Sequence, residues 1–275
     1  MRNKMKKWLL YLLIVINISS FSQTSEDSAA LANEFAKVMS FATQSYLYCT
    51  TATKMNSIPF LEAQDTLSYN GIFYKNLSDL YYNNGREEFY LQDSLMIQVN
   101  HERKSIWISK VDDVSKDKMN FLPVNNGGMQ ELFQKKYSIT KIKVNSNTSR
   151  FELVAERNIN NSATVNSTIW LDYSTKKHLP VRMEIAVRMK QPFTEELSAL
   201  LRSEGIEENK LVQTIDEVKY LVRAQSICVA FIEIDNTPRG AGKMPSWKDT
   251  LDYNAAEKEF TPKGINKDYE VIKIF

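Results

Sequence analysis

The clearest pattern along the chain is a strict alternation of apolar and polar positions from residue 181 onward. One side of this segment carries five apolar residues: Val181, Met183, Ile185, Val187 and Met189. The other side carries charged residues: Arg182, Glu184, Arg188 and Lys190. This period predicts a half-buried strand, and the polar stretch at 173–178 predicts a turn from a strand at 164–172. The resulting ribbon is interpreted either as the outer layer of a packed core or as one wall of an open cavity.

Similar segments predict about nine antiparallel strands in meander order. Further strands are predicted at 45–55, 67–75, 93–100, 104–109, 137–144, 150–156 and 218–235. Within 79–92, the Asn84-Gly85 pair is the strongest hairpin signal of the chain. Residues 268–275 predict a terminal edge strand.

Two segments have a helical rather than an alternating pattern. Residues 25–43 carry apolar positions three and four apart: Leu31, Phe35, Val38, Met39 and Ala42. Residues 194–218 are helical in composition, with a bend predicted at Gly205. An antiparallel sheet with an apolar face needs a cover, and these helices can provide it, so we expect the α+β class. Residues 110–136 show little alternation and are interpreted as a surface connection or as a lid.

Composition and charge narrow the classes of function. The chain has 275 residues, 43% of them hydrophobic, which is enough for one sizeable core and does not require two domains. Its 35 basic and 33 acidic residues leave a net charge of +2. A balance of this kind does not indicate binding to nucleic acid or electrostatic attraction to anionic membranes.

The N-terminal residues have the three-part pattern of a secretory signal peptide. Residues 1–7 are basic, residues 8–18 form an apolar run, and the small residues Ser20 and Ser22 precede Gln23. The alternative is a retained membrane anchor, which requires about 20 apolar residues. We therefore expect cleavage near Ser22 and an exported protein, periplasmic or secreted, that does not span the membrane after cleavage. No cysteine lies directly after the run, so we expect no lipoprotein anchor.

The two cysteines, Cys49 and Cys228, both lie in predicted strands. In an oxidising compartment they form a possible disulfide. Alternatively, each is a small buried hydrophobic residue. Their separation in sequence does not decide between these interpretations.

Motifs that would indicate catalysis or metal binding do not occur in the sequence. His101 and His178 lie in predicted polar turns, without a second histidine or cysteine at zinc-ligand spacing, and are interpreted as surface residues. No nucleophile elbow and no dinucleotide-binding fingerprint occur, and the acidic pairs are adjacent residues that point in different directions. We therefore expect no enzymatic activity, no metal and no cofactor.

Several predicted strands carry large apolar residues on both faces, as at Ile106 and Trp107. A curved sheet that packs on helices with one face and lines a cavity with the other would have this property. The candidate cavity residues are Tyr69, Phe73, Phe89, Met96, Trp107, Trp170, Met183 and Met189. Ordinary core packing is the alternative for each of them.

The order of these elements resembles the LolA/LolB superfamily of outer-membrane lipoprotein carriers, which includes the RseB-like sensor domains. The local match is a strand followed by Asp172, Thr175 and the Leu179-Pro180 pair, and then an alternating strand. The resemblance implies an incomplete antiparallel barrel, closed by helices around a hydrophobic cavity. It implies a single domain over 23–275, with a C-terminal extension from about residue 193. The Asn- and Lys-rich style and the Ser22-Gln23 site also look like Bacteroidetes envelope proteins.

The resemblance and the apolar strands lead to one functional expectation and one alternative. We expect a non-catalytic carrier whose partner is an apolar ligand or the acyl chain of a lipoprotein. The alternative is an envelope module that contacts other proteins, as in the RseB branch, and in which the apolar strands form an interface.

Overall fold

The computed structural model describes residues 25–61, 65–111, 137–155, 164–215 and 217–274. The predicted signal peptide and nearly all of the predicted 110–136 loop lie outside these residues. The described helices are α1 (Ser25–Met39), α2 (Glu195–Ser203) and the short α3 (Pro238–Ala241). As predicted, the chain is of the α+β class, with a large antiparallel sheet and few helices.

Fifteen strands occur in the described residues. The first six are β1 (Tyr46–Ile58), β2 (Thr66–Asn76), β3 (Asp79–Asn83), β4 (Glu87–Gln92), β5 (Leu95–Asn100) and β6 (Ser105–Lys110). The next six are β7 (Tyr137–Lys143), β8 (Thr148–Ala155), β9 (Thr164–Ser174), β10 (Leu179–Pro192), β11 (Val212–Ile215) and β12 (Val218–Asp235). The last three are β13 (Leu251–Asn254), β14 (Glu259–Pro262) and β15 (Glu270–Ile274).

Thirteen of these strands form one curved sheet that does not close into a barrel. Its order is β15-β6-β5-β4-β3-β2-β1-β12-β10-β9-β8-β7, and β11 pairs with the first residues of β12. Every pairing is antiparallel except that of β15 with β6. The meanders β1–β6 and β7–β10 are therefore joined by β12. This strand belongs to the C-terminal extension that was predicted from about residue 193. The hairpin β13–β14 forms a separate two-stranded sheet.

The predicted ribbon is present as β9 and β10, with one departure from its alternation. The register moves by one residue between Pro180 and Arg182, which makes Val181 an extra residue of a β-bulge. Val181 is 43% exposed, whereas Met183 is buried against the core. The apolar side of the ribbon therefore begins at Met183 rather than at Val181.

The sheet has two apolar faces, each with its own cover. The inner face is the one that contacts α1, and its buried core includes Phe35, Val38, Met39, Leu47, Cys49, Phe73, Leu91, Phe151, Leu153, Leu171 and Met183. The outer face has a second core, formed by Tyr81, Tyr90, Ile97, Val99, Ile106, Ile108, Trp247 and Leu251. Successive residues of one strand point to opposite faces, so β3 and β4 contribute to both cores.

Helix α1 is held on the inner face by aromatic packing and by one carboxylate. The ring of Phe35 meets Phe151 edge to face at 5.6 Å, and Phe151 stacks on Tyr173 at 4.9 Å. The Glu34 carboxylate accepts hydrogen bonds from Lys141 Nζ at 2.7 Å and from Tyr173 OH at 2.6 Å. Partial burial raises the pKa of Glu34, but these hydrogen bonds outweigh it and hold the pKa below its ordinary value. The Glu34 side chain therefore ties α1 to β7 and β9.

Residues 236–274, the C-terminal segment, cover the outer face of β3–β6. Gln92 of β4 binds this segment twice, since its Nε2 donates to the carbonyl of Pro245 at 2.8 Å and its Oε1 accepts from the Trp247 N–H at 3.1 Å. The hydroxyls of Tyr90 and Thr250 lie 3.0 Å apart. These hydrogen bonds fix the segment over β4, so that Trp247 and Leu251 can complete the outer core.

A ladder of four tyrosines crosses the outer face on neighbouring strands. Tyr48, Tyr74, Tyr81 and Tyr90 are successive cross-strand partners, with ring centroids 4.9, 6.1 and 4.9 Å apart. Burial raises the pKa of Tyr81 to about 12 and also raises the pKa of Tyr90. Their hydroxyls therefore stay protonated and act as hydrogen-bond donors at physiological pH.

The Glu88 carboxylate is the common acceptor at one end of this ladder. It accepts from Tyr90 OH at 2.5 Å and from Tyr81 OH at 3.4 Å. His101 Nε2 lies 3.0 Å from the same carboxylate, and His101 Nδ1 lies 3.0 Å from Tyr269 OH of the C-terminal segment. The prediction of a surface residue is therefore wrong for His101, whose side chain is only 19% exposed. It is confirmed for the exposed turn residue His178.

Two further predictions are corrected. The predicted helix at 194–218 ends at Ser203, and the chain forms β11 before β12, since strand pairing overrides helical composition there.

The possible disulfide is excluded by geometry. In the β1–β12 register, Cys49 lies opposite Ile234, whereas Cys228 lies opposite Lys54 on the other face. Both cysteines are free, and their strand positions lie far beyond the reach of a disulfide.

We predict that Glu34→Gln lowers the free energy of unfolding by about 1 kcal/mol near neutral pH, because it removes the charge that holds Lys141. A lowered carboxyl pKa stabilises the fold above the ordinary value of 4.5, and this stabilisation is lost as the pH falls through the lowered pKa. Urea unfolding at pH 7 and at about pH 3 should therefore show a smaller difference in acid. Glu259→Gln, at an exposed position, is the control. An equal difference at both pH values would contradict the role of the charge.

We also predict that iodoacetamide modifies Cys228 and not Cys49 in the native protein. Burial raises the pKa of the Cys49 thiol to about 12, so the reactive thiolate is scarce, whereas Cys228 is half-buried. Peptide mass spectrometry after labelling at about pH 8 measures this difference. Denatured protein, labelled without a reductant, should carry the label on both residues. If neither cysteine of the denatured protein is labelled, the two residues form a disulfide and the structural placement is wrong.

Candidate functional site

The structure places seven of the eight candidate cavity residues on the inner face. Phe73 and Met183 are buried in the inner core, and Phe89 and Met96 are partly buried against it. By strand register, the inner face also carries Tyr69, Trp107 and Met189. Trp170 is the exception. It lies on the outer face, where its Nε1 donates to Glu152 at 2.8 Å, so it does not share a cavity with the others.

Five of the inner-face residues form a row that crosses neighbouring strands. Trp107, Gln98, Phe89, Tyr82 and Phe73 are successive cross-strand partners from β6 to β2. Exposure falls along this inner row, from 40% at Trp107 to 3% at Phe73. The row is thus a mainly aromatic surface, interrupted by the neutral amide of Gln98, that is exposed at the β6 side and buried toward the centre of the sheet.

Gly71 allows the aromatic rings of the inner row to pack closely. A Cβ at this position would lie 2.8 Å from Thr51 Oγ1 and 3.4 Å from the ring of Tyr82. Burial raises the pKa of Tyr82 to about 12, with the neighbouring Tyr69 contributing in the same direction. The Tyr82 ring is therefore a partly buried, neutral wall of the row.

A second site lies on the outer face, between the sheet and the C-terminal segment. This outer groove has a volume of about 700 Å³ and is lined by Asp93, Leu95, Lys110, Trp247, Lys248, Leu251, Asp252, Tyr253, Lys258, Phe260 and Lys263. Its floor is apolar because Leu95, Trp247 and Leu251 belong to the outer core or pack against it. The predicted residues include none of this lining, since the groove exists only where the C-terminal segment folds back over β4–β6.

The polar side chains of the outer groove have defined positions. Lys248 Nζ lies 3.1 Å from Asp93 Oδ2 and 5.5 Å from the centre of the Trp247 ring. The Trp247 indole N–H donates to the same Asp93 carboxylate at 3.3 Å. Lys263 Nζ lies 2.8 Å from Asp252. The groove therefore combines an apolar floor with a rim of positioned ammonium groups.

A shallower depression of about 400 Å³ lies across the outer surface of β1, β12, β10 and β9. Its lining residues are Asn56, Ile58, Thr168, Ala186, Val187, Arg188, Ala224, Gln225 and Ser226. At its edge, Ile58 is 67% exposed, and the nearby Phe60 is 53% exposed. Small side chains make the floor of this depression, so it offers few groups for specific binding.

The described residues hold neither a metal-binding cluster nor a membrane-spanning helix. In 25–61, 65–111, 137–155, 164–215 and 217–274, no group of three or more His, Cys, Asp or Glu side chains could hold a metal ion. No helix within the same ranges is long and apolar enough to cross a membrane.

No protein-family model matches the chain, and no curated protein matches its sequence. Among solved structures, it is similar to a DUF1329 family protein from Desulfovibrio piger, with 9% identity, a TM-score of 0.31 and coverage of 84% of this chain and 99% of that one. It is also similar to a LolA superfamily protein from Nitrosomonas europaea, with 8% identity, a TM-score of 0.23 and coverage of 76% and 92%. A LolA superfamily protein is thus among the structural neighbours, whereas a Bacteroidetes origin is not supported. Because both TM-scores are below 0.5, the fold assignment rests on the strand order and the covered faces, and no residue role is carried over.

Proposed function

We propose that the chain is an exported, non-catalytic carrier that binds an apolar or acyl moiety on its inner face. The observation that carries this proposal is the graded exposure of the inner row, from the open indole of Trp107 to the buried ring of Phe73. A surface of this kind can take up an alkyl chain at its open side without disturbing the sealed core.

Burial of apolar surface would supply the main favourable contribution to this binding. Covering about 150 Å² of apolar surface would contribute roughly 4 kcal/mol at 25 cal/mol per Å². Met96 lies on β5 beside the strand that carries Trp107, and the flexible thioether of methionine can adapt to an irregular chain. Selectivity would come from shape, since the row itself carries no charged residue.

The second candidate function is an envelope module that contacts another protein, as in RseB-like sensors. The exposed Ile58 and Phe60 at the end of β1 favour it, because adjacent apolar side chains in water are typical of interaction surfaces. In that function, the inner row would stay empty and the partner would cover the end of β1.

The first test is native mass spectrometry of the protein purified from an envelope extract, with lipid extraction of the same sample. A co-purifying acyl species that is released on denaturation would support the carrier. A clean apo mass, in a protein that also fails to bind added neutral probes, would contradict the carrier and favour the interaction module.

We predict that Trp107→Ala weakens binding of the neutral apolar dye N-phenyl-1-naphthylamine by about tenfold, which corresponds to roughly 1.4 kcal/mol of lost apolar contact. Trp170→Ala is the matched control, because it removes the same side chain from the opposite face. Fluorescence titration measures both variants. Equal weakening by the two substitutions, or no effect of Trp107→Ala, would overturn the placement of the site on the inner row.

A further inference from the structure

We propose that the ligand of the inner row is an alkyl chain with a cationic head group, such as an amine or a quaternary ammonium. This inference rests on the proposed function of the inner face and names the chemical class of its ligand. The head group would be bound by the Glu87 carboxylate together with the rings of Tyr82 and Phe89, which are cross-strand partners in the row. The alkyl chain would extend along the row toward Trp107.

Glu87 adjoins the inner row, whose own residues are uncharged. It lies on β4, two residues before Phe89, and side chains at this spacing share one face of a strand, roughly 7 Å apart. Burial is the main cause that raises the pKa of Tyr82, and the negative charge of Glu87 contributes in the same direction, so the carboxylate lies near the Tyr82 hydroxyl. One carboxylate and two aromatic rings therefore border the same part of the inner face.

Within the residues that the structure describes, the Glu87 carboxylate makes no ion pair. It accepts a hydrogen bond from Asn100 Nδ2 at 3.0 Å, and this donor is neutral. The neighbouring cation, Arg86, is instead paired with Glu102 at 2.6 Å. The next carboxylate, Glu88, belongs to the outer face and accepts hydrogen bonds from the tyrosine ladder there. Glu87 therefore brings one uncompensated negative charge to the inner row.

The aromatic rings add a preference for a cation over a neutral polar group. A cation over the face of a tyrosine or phenylalanine ring is attracted by the quadrupole of the ring, and the attraction is larger where water is partly excluded. Tyr82 and Phe89 are both partly buried against the inner core. A carboxylate beside two such rings is suited to an organic cation, whereas Glu87 would repel an anionic head group.

The surface available to the alkyl chain continues from this head-group site to the edge of the row. Trp107 lies two strands from Phe89, which corresponds to roughly 10 Å, and only the neutral Gln98 lies between them in the row. The indole N–H of Trp107 donates to Ser105 Oγ at 3.3 Å, so Trp107 offers a ligand its ring rather than its hydrogen-bond donor. A long alkyl chain can therefore cover the exposed indole while its head group contacts Glu87.

The test compares three probes that share a dodecyl chain, each below the concentration at which it forms micelles, by their displacement of N-phenyl-1-naphthylamine from the full protein. Dodecyltrimethylammonium is cationic, dodecanol is neutral and dodecanoate is anionic. We expect the ammonium to bind most tightly and dodecanoate least tightly. Glu87→Gln should weaken binding of the ammonium about fivefold and leave that of dodecanol unchanged, because glutamine keeps an acceptor for Asn100 but has no charge.

The matched control is Glu233→Gln, which removes an exposed carboxylate near tyrosine rings of the outer face. Thermal unfolding confirms that each variant is folded. Salt gives a second measurement that needs no variant, since added sodium chloride should screen Glu87 and weaken binding of the ammonium without weakening that of dodecanol. Equal binding of the ammonium and dodecanol, tighter binding of dodecanoate, or equal effects of the two substitutions would overturn the inference.

Failure of this inference is distinguishable from failure of the proposed function. If the dye binds and Trp107→Ala weakens its binding, but the three dodecyl probes bind alike, the carrier function stands and the cationic ligand is wrong. If the dye does not bind to the inner row, the proposed function is wrong. Direct calorimetric titration with dodecyltrimethylammonium then decides the inference by itself, because absent binding, or binding that Glu87→Gln leaves unchanged, would overturn it.

Discussion

Strand β12 is the element on which the rest of the structure depends, because it hydrogen-bonds to β1 along one side and to β10 along the other. Without it, β1–β6 and β7–β10 would be two meanders, each with an additional open edge. Open edges expose unpaired backbone groups and favour aggregation. The pairing also joins residues that are distant in sequence, so it requires the closure of a long chain segment. At Ile232, a β-bulge shifts the register and leaves this side chain 67% exposed.

The end of β12 determines how the second apolar face is covered. After Asp235, the chain passes through α3 and crosses the outer face, where Trp247 and Leu251 bury the apolar side chains of β4–β6. The inner face is covered instead by α1. The two covers differ in chemistry, since α1 presents mainly apolar side chains to the sheet, whereas the C-terminal segment is rich in lysine. The inner row is therefore apolar, and the outer groove has a charged rim.

Much of the sheet was predictable because its local signals agree with its tertiary structure. The alternation of β10 from Met183, the Asn84-Gly85 hairpin and the extent of β12 follow from period-two patterning and turn chemistry. The edge position of β15 was also predicted, although its parallel pairing with β6 was not. Parallel pairing depends on a long connection, and no short sequence window contains that information.

The sites were less predictable, and the reason is physical. The row from Trp107 to Phe73 could be anticipated in part, because large apolar side chains on both faces of a strand need two covers. Trp170 was misplaced because its neighbour Ile169 occupies the inner face, and the sequence does not tell which of two adjacent apolar residues points inward. His101 was misjudged because its partners are distant: Tyr269 lies 168 positions along the chain. The outer groove joins β4–β6 to a hairpin near the C terminus, and such a contact has no local signal.

The two candidate sites are joined through β6, which carries Trp107 on the inner face and Lys110 on the outer face. They lie three positions apart along the strand, which is a distance of roughly 10 Å. Strand β6 is held by β5 on one side and by the short parallel strand β15 on the other. Any weakening of the β15 pairing would therefore disturb the open end of the inner row and the rim of the groove together. Substitution of a single rim lysine changes only the charge of one site. If a ligand bound at one face changes binding at the other face, the change is therefore transmitted through the backbone of β6. If binding at the other face is unchanged, the ligand affects only the side chains of its own site.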